Sequence, residues 1–150
     1  MKKNYRKLYE AKEFKDIKEI LYNSVKIYKD KIAFVIKHKE NKEIKYENIT
    51  YPKLLEDVNS LGTSFYELGL KGKRIAIIGK NRYEWAISHF GALLGEIVSV
   101  PLDKDLQYDE LENSLIRSKA DCIIFDEKLK NTIDEIKKNN NTQLTEYISM

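Results

Sequence analysis

The tetrapeptide Gly79-Lys80-Asn81-Arg82 follows a short apolar run and precedes a stretch with helical periodicity. Open α/β sheets bind ligands at such strand-to-helix loops, and a helix N-terminus with two cations beside it suits a phosphate. Only one glycine is present, so neither the dinucleotide fingerprint nor the Walker A loop is met. The plainer reading gives Gly79 a tight turn and makes Asn81 and Glu84 an N-x-x-E capping box. The two histidines are isolated: His38 falls in an expected turn and His89 in a helix, and no metal cluster forms around either. A catalytic imidazole needs a partner that the sequence does not supply. Cys122 is the sole cysteine, which leaves no disulfide framework and no cysteine metal site. Neither G-x-S-x-G nor H-E-x-x-H occurs. Trp85 and the tyrosines have the composition of a ligand box, but their helical spacing among aliphatic residues favours the core.

The elements that must hold these residues follow from periodicity. Ile17, Ile20, Leu21, Val25 and Tyr28 make one helical stripe, with Asp16 as its N-cap. Residues 32–36 and 44–48 read as two extended segments joined by a turn at 38–42, a hairpin. Thr50 is a good N-cap and Pro52 sits in a first helical turn, where its missing donor costs little. Leu54, Leu55, Val58, Leu61, Phe65 and Leu68 continue that helix until Gly69. Residues 74–78, 97–100 and 122–125 are apolar on both faces, as strands inside a parallel sheet are, and Pro101 is expected to close the second of them. Helices fall between these strands, and Ile133 with Ile136 marks a last one. The alternation predicts an α/β fold: a doubly wound, mainly parallel sheet, preceded by a helix and a β-hairpin. One domain is expected over residues 1–138. The stretch 139–150, which opens Asn-Asn-Asn-Thr-Gln, is expected to be a disordered polar tail.

The chain has 150 residues, of which 42% are apolar, enough for a sizeable core. No apolar run reaches the ~18 residues of a membrane span, and no signal peptide is expected after the basic start. One cysteine fits a reducing, cytoplasmic compartment. The charge is uneven. Residues 1–45 hold 14 basic and 7 acidic side chains, a net of +7, while residues 46–150 hold 13 and 17, a net of −4. A basic third meets anionic membranes or nucleic acid. Lysine far outnumbers arginine, which argues against nucleic-acid readout, and leaves a weak anionic membrane-surface contact as the expectation.

Three stretches carry a resemblance. Ile49-Thr50-Tyr51-Pro52-Lys53-Leu54 resembles the first core motif of the adenylate-forming superfamily, L-[TS]-Y-x-E-L, with isoleucine for leucine and Lys53 for glutamate. The run from Arg74 to Trp85 is similar to that superfamily's R-V-A-I-x-x-x-N-x-x-E-W. Gly95 to Asp103 is similar to its second core motif, G-x-x-x-x-V-P-L-D. Order and spacing agree over residues 15–127, and the N-R-Y-E-W and V-P-L-D wording favours AMP-forming long-chain fatty acid CoA ligases over peptide-synthetase adenylation domains.

The resemblance implies the N-terminal α/β subdomain of an enzyme that activates a fatty acid with ATP and Mg²⁺ to acyl-AMP and then passes the acyl group to CoA. It also implies what is missing. The superfamily's phosphate loop, T-S-G-T-T-G-x-P-K, its Y-G-x-T-E motif, its ribose-binding aspartate and its C-terminal lysine have no counterpart here. No catalytic or ATP-binding residue can be assigned, and these 150 residues by themselves are expected to be inactive. Some relatives place cations for the CoA phosphates after the strand equivalent to 122–125, which makes Lys128 and Lys130 the candidates. Two alternatives stay open: a non-catalytic α/β binding module, and part of an amino-acid adenylation domain.

Overall fold

A computed structural model describes residues 12–40 and 43–150. Helix α1 (Ile17–Tyr28) opens on Asp16, whose carboxylate accepts from the Glu19 amide at 2.7 Å. Strands β1 (Ile32–Glu40) and β2 (Glu43–Thr50) pair antiparallel as a two-stranded sheet, longer than the periodicity alone suggests. Helix α2 (Tyr51–Glu67) starts where expected, with the Thr50 hydroxyl accepting from the Lys53 amide and Pro52 in the first turn. Gly69, at φ 72°, takes the left-handed turn that ends it.

The chain then alternates: β3 (Arg74–Ile78), α3 (Tyr83–Leu94), β4 (Val98–Leu102), α4 (Tyr108–Ser118), β5 (Cys122–Phe125), a 3-10 turn (Glu127–Leu129), α5 (Lys130–Asn139) and β6 (Glu146–Ser149). The last four strands form one parallel sheet in the order β4-β3-β5-β6. Alternate residues of the two central strands face opposite layers. Ile75, Ile77, Cys122 and Ile124 pack with Phe65 of α2 and Ala92 of α3. Ala76, Ile78, Ile123 and Phe125 pack with Leu111 and Leu115 of α4 and with Ile133 and Ile136 of α5. Each fully buried aliphatic side chain contributes ~1.5–3 kcal/mol, so β3, with Ile75 to Ile78 wholly inaccessible, is the centre of the core. A third cluster, Leu21, Ile49, Leu54 and Val58, fixes α1 and the hairpin to α2. Helices α2 and α3 cross closely: a Cβ on Gly91 would lie 3.3 Å from a Phe65 ring carbon.

Three expectations need correction. Residues 139–150 are not a disordered tail. Asn139 ends α5, Asn140 takes the left-handed C-cap, and Glu146 to Ser149 pair with Cys122 to Phe125 as β6. The polar spelling hid Leu144, Tyr147, Ile148 and Met150, which pack on both layers of the core. Pro101 does not close β4 but lies inside it, opposite Ile77, and β4 is an edge strand with Val98 half exposed. An edge tolerates the missing donor. The capping box of Asn81 and Glu84 does not form: Arg82 is the N-cap of α3, without a side-chain cap bond, and Glu84 is held by Arg82.

Candidate functional site

The order β4-β3-β5-β6 reverses its winding between β3 and β5. Helix α3 leaves β3 toward one layer and α5 follows β5 into the other, so a crevice opens at the carboxyl ends of these strands. That switch point is where open α/β sheets bind ligands. Its floor is tight. The Asp126 amide donates to the Ile78 carbonyl at 3.1 Å and the Met150 amide to the Phe125 carbonyl at 2.8 Å. A Cβ on Gly79 would lie 2.8 Å from Met150 Cε, a side-chain tip that can swing aside, and 3.1 Å from Asp126 Cβ, so the space at this turn is tight. The Asp126 carboxylate is buried and caps the 3-10 turn through the Lys128 amide.

The cations of the crevice are unequal. Arg82 Nε donates to Glu84 Oε2 at 2.7 Å, and this hydrogen bond holds the Glu84 carboxyl below the usual carboxylate range. A carboxylate in the first turn of α3 already answers the positive end of that helix. Lys80 is exposed. One uncapped helix end, one committed arginine and one surface lysine do not make an ATP-phosphate cradle, and the residues at this edge do not fit that group. Lys128 lies in the 3-10 turn and Lys130 at the start of α5, both exposed, and neither ammonium has an ion-pair partner among the described residues. In charge they fit an anionic group. Among the described residues no three His, Cys, Asp or Glu side chains are gathered to hold a metal ion.

A cleft of about 870 Å³ is lined by residues 34–38 of β1 and 81–86 at the start of α3. Phe34 meets Tyr83 edge-on at 5.3 Å in its wall. The Tyr83 hydroxyl donates to Asp57 Oδ2 at 2.8 Å, and Lys53 reaches Asp57 Oδ1 at 2.9 Å. Burial first, then the Asp57 bond, pushes the phenol's ionisation well up. Lys53 and Asp57 are an i, i+4 pair on α2, a spacing the sequence analysis did not single out; the tie to Tyr83, 26 residues on, had no local signal. His38 pairs with Glu47 at 2.8 Å on the hairpin. His89 stacks on Trp85 and hydrogen-bonds Ser99, so both histidines have structural partners. Trp85 packs against the core as expected, but the tyrosines divide: Tyr22, Tyr28, Tyr46 and Tyr66 are exposed.

The three motifs read from the sequence all fall at junctions. Thr50 and Leu54 turn β2 into α2, with Tyr51 against Tyr28 at 4.9 Å. Gly79 turns β3 toward α3. Asp103, ending the V-P-L-D stretch, accepts from the Asp105 amide at 2.9 Å and shapes the exit from β4.

The sequence model for AMP-binding enzymes matches residues 21–149. Fatty acyl-CoA synthetase A of Dictyostelium discoideum is 29% identical over 113 residues, 72% of this chain and 17% of that protein. A mitochondrial medium-chain acyl-CoA ligase of Bos taurus is 28% identical over 90 residues, 58% of this chain and 15% of that protein. The chain thus spans about a sixth of the length of these curated relatives. A long-chain-fatty-acid-CoA ligase of Archaeoglobus fulgidus superposes with a TM-score of 0.81 at 14% identity, over 98% of this chain and 30% of that structure. The N-terminal domain of FACL13 from Mycobacterium tuberculosis superposes with a TM-score of 0.77 at 22% identity, over 91% of this chain and 34% of that structure. At these identities the two structures speak to the fold.

Proposed function

The chain belongs to the AMP-binding enzyme family, and from that premise we propose that it supplies the N-terminal sheet layer of an acyl-CoA synthetase acting on a fatty acid. In that reaction the fatty acid carboxylate attacks the α-phosphorus of ATP and pyrophosphate leaves. The CoA thiol then attacks the acyl carbonyl, and AMP leaves as the thioester forms. Most of the barrier is lowered by aligning the reactants and by stabilising charge on the phosphoryl group. The observation that carries this reading is the family match across residues 21–149, which runs from α1 through the sheet to β6. The residues described here contribute the scaffold and its switch-point edge; ATP and Mg²⁺ would be held by other parts of such an enzyme. Lys128 and Lys130 are the groups we assign to the phosphates of CoA, on the strength of their exposure and free charge at the carboxyl edge of β5. A reducing, cytoplasmic setting is supported by the single buried Cys122 thiol.

The test expresses this chain together with whatever its locus encodes directly after codon 150, and follows pyrophosphate release from ATP. Release that depends on a fatty acid, and a KM for CoA that rises in Lys128→Gln/Lys130→Gln with the first half-reaction unchanged, is the expected result. Release that answers to amino acids and not to fatty acids would move the chain to the amino-acid adenylation branch. The 150 residues on their own are expected to release none. A helix end contributes ~1 kcal/mol to anion binding, against the ~8 kcal/mol or more that enzymatic acceleration demands.

A further inference from the structure

The hairpin sorts its charges by strand parity. The register pairs Phe34 with Ile49, Ile36 with Glu47 and His38 with Lys45 on one face, and Val35 with Asn48, Lys37 with Tyr46 and Lys39 with Ile44 on the other. The first face turns inward, where Ile49, Phe34 and Ile36 pack against Leu21, Leu54 and Val58. Glu43 and Glu47 share its parity. The second face therefore carries no carboxylate among the described residues. Its three large apolar side chains are all more than half exposed: Val35 at 57%, Ile44 at 51% and Tyr46 at 65%. Lys37 and Lys39 stand among them, exposed and without ion-pair partners among the described residues. The outer face of a half-buried hairpin is ordinarily polar, and a contiguous apolar patch with one sign of charge marks an interaction surface.

We propose that this outer face docks the chain on an anionic phospholipid surface. The chemistry of each side chain fits that partner. Lysine lays its aliphatic stem along apolar material while its ammonium stays in the headgroup layer. The tyrosine ring is at home at the same level. Val35 and Ile44 add apolar area below it, and no acidic residue opposes the lipid phosphates. The charge around the hairpin agrees in sign, since the described residues 12–40 and 43–45 hold nine basic and six acidic side chains, a net of +3. An acidic polypeptide would satisfy the lysines but offers less to three exposed apolar side chains spread along a strand face. The inference does not depend on the acyl-CoA synthetase reading.

Sedimentation with phosphatidylcholine vesicles, with and without phosphatidylserine, tests it on the chain as it stands. Binding is expected only to the phosphatidylserine vesicles and is lost at high salt. Removing both lysines in Lys37→Gln/Lys39→Gln should weaken the partition by about 25-fold, roughly fivefold for each charge. Ile44→Ser/Tyr46→Ser should weaken it by about tenfold through lost apolar area. Both variants alter exposed positions and keep the native circular dichroism spectrum. Lys137→Gln/Lys138→Gln, which removes the same charge from α5, should bind like the parent. Equal binding to neutral and anionic vesicles would overturn the proposal. So would hairpin variants that bind like the parent, or capture by polyglutamate without capture by vesicles.

Discussion

His89 Nδ1 and the Ser99 hydroxyl lie 2.8 Å apart, joining the middle of α3 to the edge strand β4. Burial holds the imidazole below its ordinary value of 6.5. In the fold it stays neutral where the unfolded chain already binds a proton, so unfolding takes up a proton in that interval. Stability from this group is complete above pH 6.5 and is lost as pH falls through the folded value. Urea midpoints at about pH 7.5 and pH 5 should therefore differ more for the parent than for His89→Gln. Identical pH dependence in the two proteins would rule His89 out as a contributor.

Cys122 sits in the central sheet between β3 and β6, with its thiol pushed up to about 12, by burial above all and by Glu146 and Asp121 in addition. A thiol so protonated reacts only when the sheet opens. Reaction with an aromatic disulfide reagent near neutral pH should be slow in buffer and should accelerate with urea in step with unfolding. Complete reaction within the mixing time, with no denaturant, would contradict the buried placement.

Tyr83 anchors the first turn of α3 to α2 through Asp57. Tyr83→Phe keeps the edge contact with Phe34 and removes only the hydroxyl. A partly buried hydrogen bond to a carboxylate contributes roughly 1.5 kcal/mol, and that is the expected loss by urea titration. In a cycle with Asp57→Asn most of that loss should appear as coupling, because the two groups are direct partners. Additive losses would mean that the hydroxyl and the carboxylate do not act on one another.

A stop after Asn140 removes β6 and with it the packing of Leu144, Tyr147, Ile148 and Met150. Four half-buried apolar side chains correspond to on the order of 4 kcal/mol, a large part of the stability of a domain this size. The shortened chain should lose its cooperative thermal transition or show it far lower. A transition unchanged in midpoint would return residues 139–150 to the status of a tail.

Most of this architecture was legible in the residues, for identifiable reasons. Thr50 with Pro52 announces α2, because a cap and a donorless first turn have local signatures. Ile75 to Ile78 and Cys122 to Phe125 announce buried strands, because both faces are apolar. β6 announced nothing: Glu146-Tyr147-Ile148-Ser149 shows neither strict alternation nor a long apolar run, a polar stretch precedes it, and its stability comes from β5, more than 20 residues upstream. The cap of α3 was misread because Asn81 and Glu84 have the right spacing, while the fold lets Arg82 claim Glu84 first. At the crevice, Gly79 was visible as a turn, but the crowding around it comes from Asp126 and Met150, which follow β5 and β6 and are remote in sequence. Lys128 and Lys130 came from a resemblance, and the fold adds only that they share the carboxyl edge.

Pro101 gives the sheet unequal borders. On one side β4 presents a donor row broken at its fourth residue, next to the exposed Val98. On the other, β6 ends the sheet with no proline in Glu146 to Ser149. Growth of this sheet by a further strand is thereby made directional: a newcomer finds an unbroken template beside β6 and a gapped one beside β4. A β6-to-β6 pairing of two copies would leave only the gapped β4 borders outside, which blunts further edge-to-edge growth.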